Sequence, residues 1–109
     1  MSNQPQASSR LEILKTMVAQ NPGDSFLRYG LGMEYRNAGD LDAAMAEFRT
    51  LIAADPDYVA AYFHGGQTLE RMGEIDEARE FYQRGVEAAT RTGNTHARSE
   101  LEVALTILG

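Results

Sequence analysis

The stretch "MEYRNAGDLDAAMAEF", Met33 to Phe48, occurs a second time in altered form as "QTLERMGEIDEAREFY", Gln67 to Tyr82. The second copy begins 34 residues after the first, and the same offset pairs Gly32 with Gly66 just in front of the two stretches. A constant offset of this size is typical of a repeat architecture, in which each copy is one structural unit that stacks on the next. The sequence therefore predicts a core built by stacking repeated units.

Other residues keep the same offset. They are Gly39 with Gly73, Asp42 with Asp76, Ala44 with Ala78 and Phe48 with Tyr82. The same step backwards from Pro56 reaches Pro22, so the repeat extends in front of the first full copy. Leu14 then takes the place of Phe48, and Val18 that of Ile52.

Helix is the element that these letters favour. Residues 41–54, "LDAAMAEFRTLIAA", are strong helix formers with apolar side chains at three- and four-residue steps. Gly39 and Gly73 suit left-handed helix ends, Asp40 suits a cap, and "SRLE" from Ser9 to Glu12 reads as a capping box. We expect a polar, mobile tail over residues 1–8, no strand, and six helices near 9–20, 25–37, 41–54, 58–71, 75–90 and 95–108.

The composition sets limits on location and partners. At 109 residues and 43% hydrophobic content the chain makes one small domain, and the absence of cysteine suits a reducing compartment, so we expect a cytoplasmic protein. Its beginning, "MSNQPQASSR", has no apolar stretch behind a basic head, so we do not expect a secretory signal, and no apolar run of about 18 residues predicts a membrane span. A net charge of -6 disfavours nucleic acid and anionic lipid surfaces as partners.

The sequence offers little that could carry catalysis. We interpret His64 and His96 as exposed polar residues and expect no metal or cofactor. The "GLG" and "HGG" letters lie inside predicted helices and lack the preceding strand that a dinucleotide site needs. We therefore do not expect an enzyme, and an enzyme that uses His64 is only a third alternative.

The repeated residues resemble the tetratricopeptide repeat, whose pattern is W-x2-L-G-x2-Y, then A-x3-F, then P. In the first copy the matching positions are Arg28, Leu31, Gly32, Tyr35, Ala44, Phe48 and Pro56, so only the aromatic opener is missing. In the second copy they are Tyr62, Gly65, Gly66, Leu69, Ala78, Tyr82 and Thr90, so the aromatic is present but the leucine and proline are lost. The chain is similar to small bacterial stand-alone proteins of this family.

The resemblance implies an all-α, right-handed superhelical solenoid of antiparallel helix pairs. It divides the single domain, 9–109, into a half repeat at 9–22, full repeats at 25–58 and 59–92, and a capping helix at 95–108. Gly65 stands where the family has a large apolar residue. Either Tyr62, Phe63 or a residue of the last helix fills that space, or the helix kinks there; we favour the first.

In this family the first helix of each repeat lines a concave groove that holds an extended peptide or a partner helix. The resemblance places ten residues on that wall: Phe26, Tyr29, Met33, Arg36, Asn37, Phe63, His64, Gln67, Glu70 and Arg71. A subfamily grips C-terminal carboxylates with Lys and Asn, but Tyr29 and Met33, and one repeat later Phe63 and Gln67, occupy those positions here. This argues against a carboxylate clamp. The alternative is that neighbouring side chains or the chain's own tail cover Tyr29, Met33 and Phe63.

The last helix carries an apolar stripe that can cover the preceding helix pair: Ala97, Leu101, Ala104, Leu105 and Leu108. Val103 and Ile107 are left over. Either they face the groove near Phe63 or they form a patch that pairs with a second copy, and we prefer the patch. The sequence thus predicts a non-catalytic protein-interaction module that binds a peptide or partner helix. The alternative is a self-associating protein that forms homodimers through its apolar surface.

Overall fold

The computed structural model describes residues 6–109, and these contain six α-helices and no strand. The helices are α1 (Gln6–Gln20), α2 (Ser25–Asn37), α3 (Leu41–Ala54), α4 (Val59–Arg71), α5 (Ile75–Thr92) and α6 (Thr95–Leu108). The all-α fold is thereby confirmed. Of the predicted tail, residues 1–5 lie outside the described residues, and 6–8 belong to α1. The expected capping box at Ser9 is wrong, because α1 has already begun at Gln6.

The turns follow the predicted signals. Gly39 and Gly73 adopt left-handed φ angles of 85° and 80°, which glycine reaches without the steric penalty of a Cβ. Asp40 caps α3, since its Oδ1 accepts a hydrogen bond from Ala43 N at 3.2 Å. Asn94 caps α6 in the same way through Ala97 N at 3.0 Å. These short turns make each helix fold back on the one before it.

Each helix packs against its neighbours along the chain, and α4 additionally contacts both α2 and α6. The even-numbered helices therefore lie side by side on one face of the molecule. The odd-numbered helices α3 and α5 lie behind them, each packed between two even-numbered helices. This two-layer order is what makes the face formed by α2, α4 and α6 a continuous wall.

An aromatic ring against a glycine holds each helix pair together. Phe48 and Tyr82 are fully buried, at 0% exposure. A Cβ added at Gly32 would lie 2.7 Å from Phe48 Cε1, and one added at Gly66 would overlap the ring of Tyr82. The rings thus occupy space that only a glycine leaves free, which explains why both members of each pair are retained in the repeat.

Gly65 leaves space for a third aromatic ring. A Cβ there would lie 2.7 Å from Phe81 Cε2, so Phe81 of α5 fills the space. Our candidates, Tyr62, Phe63 and a residue of the last helix, were wrong, because the side chain that approaches comes from the following helix of the same repeat. The space is nevertheless filled by a side chain, and α4 runs uninterrupted from Val59 to Arg71.

Arg28 takes over a contact of the missing aromatic opener. In the second repeat Tyr62 Oη donates a hydrogen bond to the carbonyl oxygen of Pro56 at 2.8 Å. In the first repeat Arg28 Nη2 donates to the carbonyl oxygen of Pro22 at 3.3 Å, which is the equivalent atom one repeat earlier. The turn is therefore tied to the following helix in both repeats despite the change of residue type.

The predicted stripe of α6 packs on the preceding helices. Leu101 is fully buried, while Ala97, Ala104, Leu105 and Leu108 are half-buried against the core. Gly85 of α5 makes room for Leu101, since a Cβ at Gly85 would lie 2.9 Å from Leu101 Cδ2. Arg98 and Glu102 are exposed and form an ion pair at 3.2 Å. This exposed ion pair makes part of the outer surface of α6 polar.

We expect Phe48→Ala to lower the free energy of unfolding by roughly 3 to 5 kcal/mol, because it removes a fully buried ring that no neighbour can replace. Phe26→Ala is the matched control: the same substitution at a residue that is 72% exposed should change stability by about 0.5 kcal/mol or less. Urea titration followed by circular dichroism measures both. Equal losses for the two variants would contradict the assigned core.

Candidate functional site

The ten predicted wall residues lie on α2 and α4, and the structure links the inner ones across these helices. Arg36 Nη2 donates a hydrogen bond to Gln67 Oε1 at 3.2 Å, and Arg36 Nη1 lies 3.3 Å from His64 Nδ1. Phe26, Asn37 and Arg71 are exposed near the ends of their helices. The centre of the wall is therefore a polar network that ties α2 to α4.

The aromatic residues of the wall repeat the same geometry. The ring of Tyr29 lies 6.3 Å from that of Phe48 at an angle of 45°, and Phe63 lies 6.3 Å from Tyr82 at 46°. Tyr29 and Phe63 are both half-buried. Each ring thus packs against a core aromatic and keeps part of its surface exposed. The two aromatic residues are therefore neither fully open nor fully covered by neighbouring side chains.

His64 is not the exposed polar residue that we expected. It is half-buried between the wall aromatics, with ring centroids 5.8 Å from Tyr29 and 5.3 Å from Phe63. Burial lowers the pKa of His64, and the adjacent Arg36 guanidinium lowers it further, while Gln67 and Glu100 partly oppose this. The neutral imidazole can then accept a hydrogen bond from Arg36 at Nδ1. His96, in contrast, is exposed as expected.

A second polar contact lies deeper in the wall. Tyr82 Oη donates a hydrogen bond to Glu70 Oε2. Burial raises the pKa of the Tyr82 phenol, and the Glu70 carboxylate raises it further, so the phenol remains a hydrogen-bond donor throughout the neutral range. The core ring beneath the groove therefore also orients a carboxylate at its surface.

Val103 and Ile107 lie on the same wall as the predicted groove residues. They are 58% and 78% exposed, and with Phe63, Tyr82 and Ala104 they line a pocket between α4 and α6. Our two alternatives, the groove near Phe63 and an exposed patch, are thus not exclusive. The groove and self-association residues form one continuous surface over α2, α4 and α6.

The position of these two residues depends on a change of register in α6 relative to the 34-residue repeat. The N-caps Asp24 and Tyr58 are 34 residues apart, but Tyr58 and the N-cap Asn94 are 36 apart. Helix α5 is longer than α3, 18 residues against 14, and ends at Gly93 with a φ of 72°. The sequence carries a signal for this longer helix, because Thr90 stands where the first repeat has Pro56 and Gly93 follows it.

Applying the offset of 36 aligns α6 with α4. Leu101 then corresponds to Gly65, Val103 to Gln67 and Ile107 to Arg71. The last two matches put Val103 and Ile107 in positions that face the groove in α4. Two apolar side chains therefore replace an amide and a guanidinium at the C-terminal end of the wall.

Among residues 6–109, no group of three or more His, Cys, Asp or Glu residues is placed to hold a metal ion. In the same part of the chain, no helix is both long and apolar enough to cross a membrane.

Comparison with known proteins agrees with this geometry. A family profile described as tetratricopeptide repeat matches residues 29–92, which is more than half of the chain. The chain belongs to the tetratricopeptide repeat family. A repeat-containing protein of this family from Pseudomonas aeruginosa is 30% identical over 95 residues, covering 87% of this chain and 90% of that protein.

Solved structures share the fold. A tetratricopeptide repeat domain protein from Salinibacter ruber, determined by solution NMR, has a TM-score of 0.77 and 37% identity, covering 80% of this chain and 88% of that chain. The Yersinia enterocolitica type III secretion chaperone SycD, solved with a peptide of the translocator YopD, has a TM-score of 0.85. Its identity is 18%, with 94% of this chain and 79% of that chain covered, so it supports the fold alone.

We expect the NMR titration midpoint of His64 to lie below the ordinary value of about 6.5, because burial and Arg36 both disfavour the imidazolium. A histidine pKa that is lower in the folded state makes the unfolded state bind the extra proton. The contribution of His64 to stability is therefore present above about pH 6.5 and is lost as the pH falls through the folded pKa.

Arg36→Gln is the companion variant. It should move the His64 midpoint only part of the way back, since burial is the larger cause. A midpoint at or above 6.5 in the unmodified protein would contradict the described environment of His64.

Proposed function

We propose that the protein is a non-catalytic interaction module that holds a peptide or a partner helix in the groove formed by α2, α4 and α6. The observation that carries this proposal is the row of apolar side chains that are open along one wall. Tyr29 and Phe63 are half-buried at equivalent positions, and Val103 and Ile107 are mostly exposed beside Phe63. Aromatic and aliphatic groups held in place by a rigid scaffold are suitable anchors for a partner.

SycD offers an analogy for peptide binding by this fold. That chaperone has been solved with a peptide of the translocator YopD, and its fold closely matches this one. We infer by analogy that this chain accepts a peptide, and we assign the peptide to the helical wall because of the apolar side chains exposed there. The cytoplasmic location expected from the absence of cysteine stays a prediction.

The wall favours apolar side chains over a free carboxylate. Tyr29, Met33 and Phe63 take positions where the carboxylate-clamp subfamily uses charged or amide groups. The guanidinium of Arg36 is already engaged by Gln67 and His64. An incoming carboxylate would therefore have to compete with existing contacts.

We expect the double variant Tyr29→Ala with Phe63→Ala to abolish partner capture from the native lysate while retaining helical content. Because both rings are half-buried, the double variant is also less stable than the unmodified protein, and the control variant must be destabilised to a similar extent. Tyr35→Ala with Val86→Ala is suitable, because both residues are half-buried against the core and neither belongs to the predicted wall. Capture by the folded groove variant would place the binding site elsewhere.

A second candidate function is self-association through Val103 and Ile107, favoured by their exposures of 58% and 78%. A symmetric dimer could cover both copies of such a patch. We expect the native chain to be partly dimeric at high concentration and Val103→Glu with Ile107→Lys to be monomeric with an unchanged helical signal. Light scattering after size exclusion measures both. A native chain that is monomeric at every concentration would eliminate this candidate.

A further inference from the structure

We propose that the partner segment is cationic and amphipathic: an apolar side chain enters the pocket between α4 and α6, and a Lys or Arg side chain pairs with Glu100 and Glu70. This inference rests on the proposed function and adds the chemistry of the partner. It also gives the partner a direction, because its basic residues would lie at the α6 end of the groove.

The pocket between α4 and α6 combines apolar walls with carboxylates. Its lining residues are Phe63, Gln67, Glu70, Tyr82, Glu100, Val103, Ala104 and Ile107. A neighbouring depression shares Phe63, Glu100 and Val103 and adds His96 and Ser99. Neither is lined by a Lys or Arg residue. A ligand here meets apolar surface and negative charge together.

The two carboxylates are arranged to receive a cation. The side chain of Glu100 is 52% exposed, and it faces His96 Nε2 at 3.5 Å, with the His96 side chain 86% exposed. A contact this exposed contributes little to stability, so a Lys or Arg side chain of a partner can replace it at Glu100. Glu70 is held differently, since Oε2 accepts from the buried Tyr82 hydroxyl, which fixes the carboxylate at the rim of the pocket.

The other half of the groove has the opposite character. Between α2 and α4 the surface is lined by Arg36, Gln67, Glu70 and Arg71, so it carries two guanidinium groups. The wall is therefore basic toward α2 and acidic toward α6, with Glu70 at the boundary. A segment whose cationic groups lie toward α6 satisfies this order, and a reversed segment brings like charges together.

Charge also distinguishes this partner from a second copy of the chain. The protein has a net charge of -6, so bringing two copies together adds repulsion to the burial of Val103 and Ile107. A cationic segment instead gains attraction over the same apolar contact. The same surface is thus better matched by a basic amphipathic segment than by a homodimer.

The test uses two fluorescent 14-residue model peptides that present leucines at amphipathic-helix spacing, one with lysines and one with glutamates on the polar face. Fluorescence anisotropy measures their affinity for the full chain. We expect the lysine peptide to bind at least about 10-fold more tightly in 50 mM salt, and the ratio to fall below about 3 in 0.5 M salt as screening shortens the range of the attraction.

Matched variants locate the effect. Glu100→Gln should weaken lysine-peptide binding about 3-fold, as expected for an exposed ion pair. Glu87→Gln makes the same charge change at an exposed position of α5 that lines neither pocket, and it should leave the affinity unchanged within about 1.5-fold. Equal effects of the two variants would show that only net charge matters and would overturn the proposal.

The remaining outcomes separate this inference from the proposed function. If both peptides bind equally and Phe63→Ala weakens both, the groove binds peptides but the cationic preference is wrong. If neither peptide binds, the cationic amphipathic class is excluded, while lysate capture still tests the groove through Tyr29 and Phe63. If the native chain forms a dimer that the lysine peptide cannot dissociate, the second copy is the occupant.

Discussion

The fit of an aromatic ring against a bare helix backbone is the constraint on which the rest of this structure depends. Phe48 reaches the core because Gly32 has no side chain, and Tyr82 does the same at Gly66. The ring sets how closely the two helices of a repeat approach, and that distance also sets how the outer surface of the first helix is presented. Tyr29 and Phe63 therefore rest on their core rings at the same distance. The spacing of the aromatic residues in the groove thus follows the spacing of the core rings beneath them.

The polar part of the groove follows from the same packing. Arg36 reaches across from α2 to α4 and contacts Gln67 and His64, so its guanidinium links the two helices of the wall. Burial lowers the pKa of the half-buried His64, and the charge of Arg36 lowers it further. Tyr82 extends the core to the surface through Glu70. Stability and surface chemistry are thus carried by shared side chains, and a substitution in the wall alters both.

A change in the length of one helix decides the character of the C-terminal end. Helix α5 continues to Thr92 because no proline stops it where Pro56 stops α3. Helix α6 therefore begins two residues later than the 34-residue repeat predicts from α4. This delay rotates the side chains of α6 by roughly 200° about the helix axis. Without that rotation Val103 and Ile107 would not face the groove. Their position beside Phe63 gives the acidic end of the wall its apolar surface.

The sequence by itself determined the repeat, the six helices and the buried rings, because the 34-residue period and the helix-ending glycines act locally. The resemblance to the family also predicted the wall residues on α2 and α4, since each repeat position transfers to the next unit. Only the tertiary structure decided which ring meets which glycine, as Phe81 at Gly65 shows, because several side chains of suitable size lie within reach. Likewise the environment of His64 includes Arg36, which lies 28 residues away in the chain. For Val103 and Ile107, Thr90 and Gly93 carried a local signal for the changed register of α6. That these two side chains lie beside Phe63 was decided by the packing of α6 against α4.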